Sequence, residues 1–357
     1  MHYLKVGKVK IPYAIKTEGT RKIFQICGMK IPFSTVIRNN RKYYKLFFLT
    51  MQLPFLDKYF ISQGYSNYLM RDQLTEEKIK EISAQIFREK VGYDPNLEEP
   101  RSFNEKIFWM KLNYHNPMVT RCCDKFSVKE YVNEKLGPGY VIPTIRSWEK
   151  SEDIDFSVLP DKYVLKVNWS SGYNIIVKDS SDVNEEEVRA KISRWMQPEQ
   201  NSYYQTFNWG YKNMKPVVYA EEYMEQIDGQ LFDYKFYCCN GKVKFLFIAT
   251  DRHKEGKLTY NFFDPDFNKL DFTYGGRGHT EEPLEKPQHY DEMIRCAEML
   301  AEPFPFVRVD FYETGGRIYV GEMTFYSGGG ILPFDPVEWD YRLGSYIQFP
   351  VDNKGEK

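Results

Sequence analysis

The sequence predicts an α+β enzyme body behind a basic N-terminal segment, and three observations predict it. Capped helical segments fill residues 75–136, strands mixed with loops and a helix run from Asp161 onward, and an acidic hairpin spans Arg308 to Thr324. Strands grouped as hairpins around helices mark an α+β or mixed α/β layer arrangement. A chain of 357 residues suits two or three lobes around a shared cleft. Its 42% hydrophobic and 28% charged content describe a soluble globular protein and exclude a disordered one. Aromatic residues make up 17%; most such rings fill cores, and some line clefts for flat or sugar-like ligands.

The net charge of −1 is unevenly spread. Residues 1–46 hold eleven Lys or Arg against the single acid Glu18, whereas the other 311 residues hold 38 basic and 49 acidic groups. That asymmetry reads either as an element meeting an anionic surface (membrane, nucleic acid or acidic polymer) or as a solvated segment packed on the acidic body. Lys10-Ile11-Pro12-Tyr13 recurs as Lys30-Ile31-Pro32-Phe33. Proline in both copies disfavours central strands and predicts short edge strands or loops. The most apolar stretch, Leu46 to Ile61, is interrupted by Pro54, Asp57 and Lys58 and is too short to span a bilayer; it reads as a buried or interfacial helix. Cysteines at 27, 122, 123, 238, 239 and 296 fit neither zinc spacing nor a disulfide framework. Together with the lack of a secretory pattern, they predict a cytoplasmic, reducing location.

Thr75 is a fitting N-cap for a helix over 75–90. Ser102 and Glu105 form a capping box ahead of a second helix, and Asp124 caps a third that carries Lys125, Val128, Tyr131 and Val132. Tyr163 to Asn168 reads as a strand, followed by the loop Trp169 to Asn174 and the strand Ile175 to Val177. A small hydroxyl-bearing loop between strands can offer backbone N–H groups to phosphate, and Lys166 would add a point charge, though taken alone these residues read first as an ordinary hairpin. No Walker sequence is present. Val217 to Met224 is an apolar strand ending in acids, able to pair its backbone with a purine edge. Asp233 and Lys235 share a face of the next strand.

In the hairpin, a loop centred on Gly316 would set Asp310 opposite Glu322 and Arg308 opposite Thr324, all on one face. Two carboxylates beside a guanidinium can make a cage for a divalent metal and phosphate oxygens, or a plain salt-bridge ladder.

This order of motifs resembles the ATP-grasp fold, and more closely its TupA-like branch, found with bacterial surface-polysaccharide genes. The resemblance runs over about residues 88–346. It rests on Gly92-Tyr93-Asp94, Pro100 to Lys106, Asp124-Lys125-Phe126, Leu165 to Asn168, Ala220 to Tyr223, Asp233 to Phe236, Phe306 to Asp310, Glu322-Met323-Thr324 and Glu338-Trp339-Asp340. It implies a basic, partly helical N-terminal extension (1–87), a helical segment (88–160), a small lobe with a phosphate loop (161–222) and a large lobe with a metal-binding hairpin (223–357).

By resemblance, Lys125 and Lys166 reach the phosphates of ATP, and Ser171 and Gly172 belong to the loop that closes over them. Glu221, Glu222, Tyr223 and Met224 correspond to the linker that holds adenine, and Asp233 to the carboxylate that takes the ribose. Asp310, Glu322 and Thr324 are the implied magnesium ligands, with Glu322 bridging two Mg²⁺ ions. Arg308, Lys166 and Lys235 are the implied catalytic groups, Arg308 steadying the transferred phosphoryl group. There are two departures from the wider pattern: Thr324 stands where Asn is usual, and Trp169 and Tyr173 replace the smaller residues expected in the phosphate loop. The resemblance further implies carboxylate–amine ligation on an acidic glycan or uronic-acid acceptor with an amine or amino-acid co-substrate. Nucleic acid is not an implied partner. Residues 1–46 would meet an anionic inner membrane face or polysaccharide machinery. Ser327 to Gly330 could bring backbone donors to the substrate, and His253 and His279 lie in polar, loop-like stretches. A glycosyltransferase-like enzyme, a sugar kinase and a non-catalytic glycan-binding protein are the rival readings.

Overall fold

A computed structural model describes the backbone of residues 2–6, 9–18, 21–26, 29–38, 41–46 and 49–51, and residues 74–349 apart from 170, 225–231, 251–257 and 281–282. Two compact units divide the chain, Met1–Ile82 and Ser83–Lys357. Among the described residues no helix is long and apolar enough to cross a membrane.

The first unit holds an antiparallel sheet in chain order: β1 (His2–Val6), β2 (Val9–Glu18), β3 (Arg21–Ile26), β4 (Met29–Arg38), β5 (Arg41–Leu46) and β6 (Leu49–Met51). The two prolines therefore do not lie in short edge strands or loops, as their type predicts, but in the two ten-residue strands β2 and β4. Staggered pairing explains the difference. β2 pairs with β1 through Val9–Tyr13 and with β3 through Tyr13–Glu18, so Pro12 lies in a half-strand that has a neighbour on one side only. Pro32 repeats this arrangement between β3 and β5. A residue without an N–H is tolerated where no ladder bond is asked of it. Leu46 and Leu49–Met51 are strand rather than helix, and residues 52–61 lie outside the described residues.

Helix α1 (Glu76–Val91) opens on Thr75, whose hydroxyl accepts the Lys78 amide at 3.3 Å. α2 (Phe103–Asn113) has the full capping box: Ser102 Oγ accepts from the Glu105 amide at 3.1 Å, and the Glu105 carboxylate accepts from the Ser102 amide at 3.0 Å. α3 (Pro117–Cys123) and α4 (Val128–Leu136) follow. α4 begins later than the sequence predicts. Asp124 caps a tight turn through the amides of Phe126 and Ser127, which leaves Lys125 ahead of the helix rather than on it.

A four-stranded sheet comes next, ordered β7 (Thr144–Trp148), β10 (Val218–Glu222), β8 (Tyr163–Val167) and β9 (Asn174–Val177). Between β9 and β10 lie α5 (Glu185–Trp195) and α6 (Ser202–Thr206). Leu165, Val167, Val218 and Ala220 bury one face of the sheet in a core shared with Ile192 of α5. Lys166, Tyr219 and Glu221 occupy the other face, with Tyr219 opposite Lys166 in the register.

The other large sheet of the second unit is six-stranded, ordered β14 (Lys269–Leu270), β13 (Thr259–Phe263), β12 (Lys242–Thr250), β11 (Asp233–Cys239), β16 (Phe306–Thr314) and β17 (Arg317–Thr324). β15 (Thr273–Tyr274) pairs with β18 (Phe334–Asp335), and α7 (Tyr290–Ala301) and α8 (Glu338–Gly344) complete the set. α7 packs across β11, β12 and β16, where the Phe236 ring meets Phe311 at 5.6 Å and Tyr290 at 5.8 Å. The opposite face is divided. Tyr237, Phe245 and Phe306 pack beneath Phe103 of α2, and beyond them the face turns polar at Arg308, Lys235 and Asp310.

Candidate active site

The acidic hairpin has the predicted pairing, reached by a different route. Gly315 and Gly316, with φ of 59° and 71°, form a two-residue turn, and Thr314 pairs with Arg317. Positive φ at both positions is what such a turn requires. Continued without change, that register would place Gly321, not Glu322, opposite Asp310. A bulge at Gly321 shifts it by one, so Asp310 faces Glu322 and Arg308 faces Thr324. A Cβ at Gly321 would lie 2.6 Å from the Tyr312 ring, so any larger residue there would have to displace that ring.

Three cations converge on these two carboxylates. Arg308 donates through Nε to Asp310 Oδ1 at 2.6 Å and through Nη2 to Asp310 Oδ2, Glu322 Oε1 and Thr324 Oγ1 at 2.7, 2.8 and 3.0 Å. Thr324 in turn donates to Glu322 Oε1 at 2.8 Å. Lys125 reaches Glu322 Oε2 at 2.9 Å. Lys235, opposite Asp310 in the β11–β16 ladder, bonds to Asp310 and lies 3.7 Å from Asp233. Burial raises the Glu322 carboxyl, but Lys125, Arg308 and Lys235 outweigh it and hold the group well below the usual carboxylate range. The salt-bridge ladder is thus set in a cavity wall rather than on the surface.

That cavity holds about 400 Å³ and lies between the two sheets. Lys125, Lys166, Ser171, Gly172, Tyr173 and Asn174 form one wall, and Asp233, Lys235, Arg308, Asp310, Gly321 and Glu322 the other, with the rings of Tyr219, Phe247 and Tyr260 between polar groups. The loop after β8 is anchored at both ends by the two aromatic residues that depart from the family pattern. Trp169 donates its indole N–H to the Trp195 carbonyl at 2.9 Å, while Tyr173 stacks on the Trp195 ring at 5.2 Å and bonds to Gln200 at 2.7 Å. Gly172 takes a φ of 80° between them. Asn168, fully buried, donates to Asp124 at 2.7 Å and to the Lys215 carbonyl at 2.9 Å, and its own carbonyl accepts the Lys125 amide at 3.0 Å.

Of the residues singled out in the sequence, Lys125, Lys166, Ser171, Gly172, Asp233, Lys235, Arg308, Asp310 and Glu322 line this cavity, and Thr324 is one bond behind it. Glu221 stands behind Lys166, 2.5 Å from its ammonium. Glu222, Tyr223 and Met224 continue from the end of β10 and are not among the lining residues; residues 225–231 beyond them lie outside the described residues. Ser327 is buried and pairs its hydroxyl with Tyr237 at 2.9 Å, and Lys111 caps the Gly329 carbonyl at 3.1 Å. The loop is thus tied to β11 and α2. His279 faces the Tyr260 carbonyl at 3.0 Å, and His253 lies outside the described residues. Lys129 was not foreseen: its ammonium meets Glu221 at 2.7 Å. The signal for it, a second lysine four residues after Lys125, is hard to tell from an ordinary helix surface.

The donor set suits a hard divalent cation. Asp310 and Glu322 offer carboxylate oxygens at facing positions and Thr324 a hydroxyl, the oxygen ligands that magnesium prefers. Lys125, Lys166, Lys235 and Arg308 suit a polyphosphate, and the volume lies in the range of small-molecule sites.

The model of one protein family, described as TupA-like ATPgrasp, matches residues 105–348. No curated protein matches the sequence. Among solved structures, the chain is similar to D-alanine–D-alanine ligase from Bacillus anthracis, at 20% identity and a TM-score of 0.35, over 58% of this chain and 59% of that one. It is also similar to an ADP complex of PurK, N5-carboxyaminoimidazole ribonucleotide synthetase, at 13% identity and 0.39, over 70% and 56%. A third likeness is to the ATP-grasp ligase PsnB with minimal precursor, Mg and ADP, at 12% identity and 0.37, over 89% and 77%. The chain thus spans less than two thirds of the length of the Bacillus anthracis ligase and of PurK.

Proposed function

The chain belongs to the TupA-like ATP-grasp family, and on that basis we propose that it is an ATP- and Mg²⁺-dependent carboxylate–amine ligase. The observation that carries this reading is the meeting of four cations, Lys125, Lys166, Lys235 and Arg308, with two facing carboxylates in one cavity.

A carboxylate is a poor electrophile until its oxygen is made a leaving group. In the proposed first step the γ-phosphoryl passes from ATP to the substrate carboxylate, breaking the bond to ADP and forming an acyl phosphate. An amine then attacks the acyl carbon, an amide forms and inorganic phosphate departs. When bound, Mg²⁺ would neutralise charge on the phosphates, held by Asp310, Glu322 and Thr324. Lys125 and Lys166 orient the phosphates from the small-lobe side, and Arg308 and Lys235 stabilise the phosphoryl group in flight. No protein nucleophile is needed, and all five described cysteines are buried.

For the acceptor we propose a uronic-acid carboxylate of a bacterial surface polysaccharide. Support comes from the charge of residues 1–46, which hold eleven Lys or Arg against the single acid Glu18 and so suit an acidic polymer or an anionic membrane face.

The test is to incubate the purified protein with ATP, Mg²⁺, uronic-acid glycans and a panel of amines, following products by mass spectrometry. An amide with stoichiometric ADP and phosphate is expected. A phosphorylated sugar would replace the ligase with a kinase.

A further inference from the structure

The buried carboxylate of Glu221 is shared by two lysines: Oε1 meets Lys129 at 2.7 Å and Oε2 meets Lys166 at 2.5 Å. Lys166 lines the cavity, and Lys129 does not. The ammonium of Lys129 also donates to the Ile142 carbonyl and to Thr144 Oγ1, each at 2.8 Å. Three acceptors use all three of its donor positions. The local backbone is shaped for this contact. β7 has an extra residue at Ile145, so Thr144 rather than Ile145 lies opposite Glu221 in the β7–β10 ladder.

A Glu221–Lys166 pair by itself would be neutral, and a carboxylate so close to an ammonium cancels most of its field beyond a few ångström. A second lysine behind the carboxylate changes that balance. The trio then keeps one positive charge in excess, and its exposed end is Lys166 at the cavity wall.

We infer that Lys129 is a positioning residue that neutralises Glu221 from behind and so leaves the charge of Lys166 available to nucleotide phosphates. This rests on the nucleotide reading of the cavity, without which Lys166 has no phosphate to meet. Lys129 itself touches no nucleotide in this account.

Calorimetric titration with ADP and, separately, with adenosine tests it. Wild-type protein should bind ADP, and a failure to do so would overturn the nucleotide reading itself. Given that binding, Lys129→Met should weaken ADP by about tenfold or more while leaving adenosine within about twofold. Lys129→Gln, which keeps donors toward Thr144 and Ile142 but no charge, serves if the methionine variant fails to fold. Adding Glu221→Gln to either variant should recover most of the lost ADP affinity, because the uncompensated carboxylate is gone. ADP binding equal to wild type in folded Lys129 variants would overturn the inference. So would an equal loss for adenosine and ADP, which would mark a purely structural role.

Discussion

Asp310 stands opposite Glu322 because Gly321 is an extra residue in the strand between Glu322 and the turn. The hairpin therefore depends on two glycine features with different reasons. Gly315 and Gly316 supply positive φ at the turn, and Gly321 supplies room beside Tyr312.

Gly321→Ala should accordingly be the more harmful substitution. Its Cβ would press on the Tyr312 ring, an overpacking cost of about 1–3 kcal/mol, and relief by removing the bulge would take Glu322 out of register with Asp310. Gly315→Ala meets open space and should cost only the left-handed backbone penalty of about 1–2 kcal/mol. Urea melts would give both values, and ATP turnover should fall much further in Gly321→Ala than in Gly315→Ala.

Arg308, Lys125 and Lys235 already neutralise Asp310 and Glu322. Divalent metal should therefore bind poorly until a nucleotide draws those cations onto its phosphates. Mn²⁺ titration followed by electron paramagnetic resonance should show tight binding with ADP present and at least about tenfold weaker binding without it. Arg308→Met should tighten nucleotide-free Mn²⁺ binding while it abolishes turnover. A thermal melt of that variant guards against unfolding, because breaking a buried ion pair costs about 3–5 kcal/mol.

The parts of this site that could be read from sequence are those set by strand alternation and local capping. The single face shared by Arg308 and Asp310, the Ser102–Glu105 box and the strand–loop–strand around Lys166 all follow from patterns a few residues long. Register shifts were harder to read. Gly321 sits among strand formers, where a lone glycine hints at a bulge without fixing which carboxylate it realigns. The staggered pairing that lets Pro12 and Pro32 sit in long strands depends on neighbours, as does the partnership of Lys129 with Glu221. Neither Trp169 nor Tyr173 announces that both are tied to Trp195.

Asn168 couples the two lysine-bearing segments, so its loss should be felt in both stability and binding. Asn168→Ala removes the partner of Asp124 Oδ2 and of the Val217 amide, which the Asn168 side chain bonds at 2.7 and 2.9 Å. We expect a loss of about 3 kcal/mol in denaturant unfolding and weaker ADP binding through displacement of Lys125.

Burial pushes the thiols of Cys122 and Cys239 up to about 12 from the ordinary 9.0. Below pH 9 both folded and unfolded chains keep these protons, so they add no pH dependence. Between pH 9 and 12 the unfolded chain loses them first and binds fewer protons than the native state. Stability should then fall as pH rises, by up to about 1.4 kcal/mol per pH unit for each such thiol. Denaturant melts at pH 7.5, 9 and 10.5 would show the slope. Iodoacetamide mapping at pH 8 should leave Cys122, Cys123, Cys238, Cys239 and Cys296 unlabelled until the protein unfolds.

The central claim is that this cavity activates a carboxylate by phosphorylating it, and oxygen tracing tests it most directly. The protein would be given ATP, Mg²⁺, an amine and a uronic-acid acceptor with ¹⁸O at both carboxylate oxygens, and the released phosphate analysed by mass spectrometry. An acyl phosphate intermediate requires one ¹⁸O atom to leave with each phosphate as the amide forms. Amide formation with unlabelled phosphate, or ¹⁸O retained wholly in the acceptor while ATP is consumed, would contradict the account.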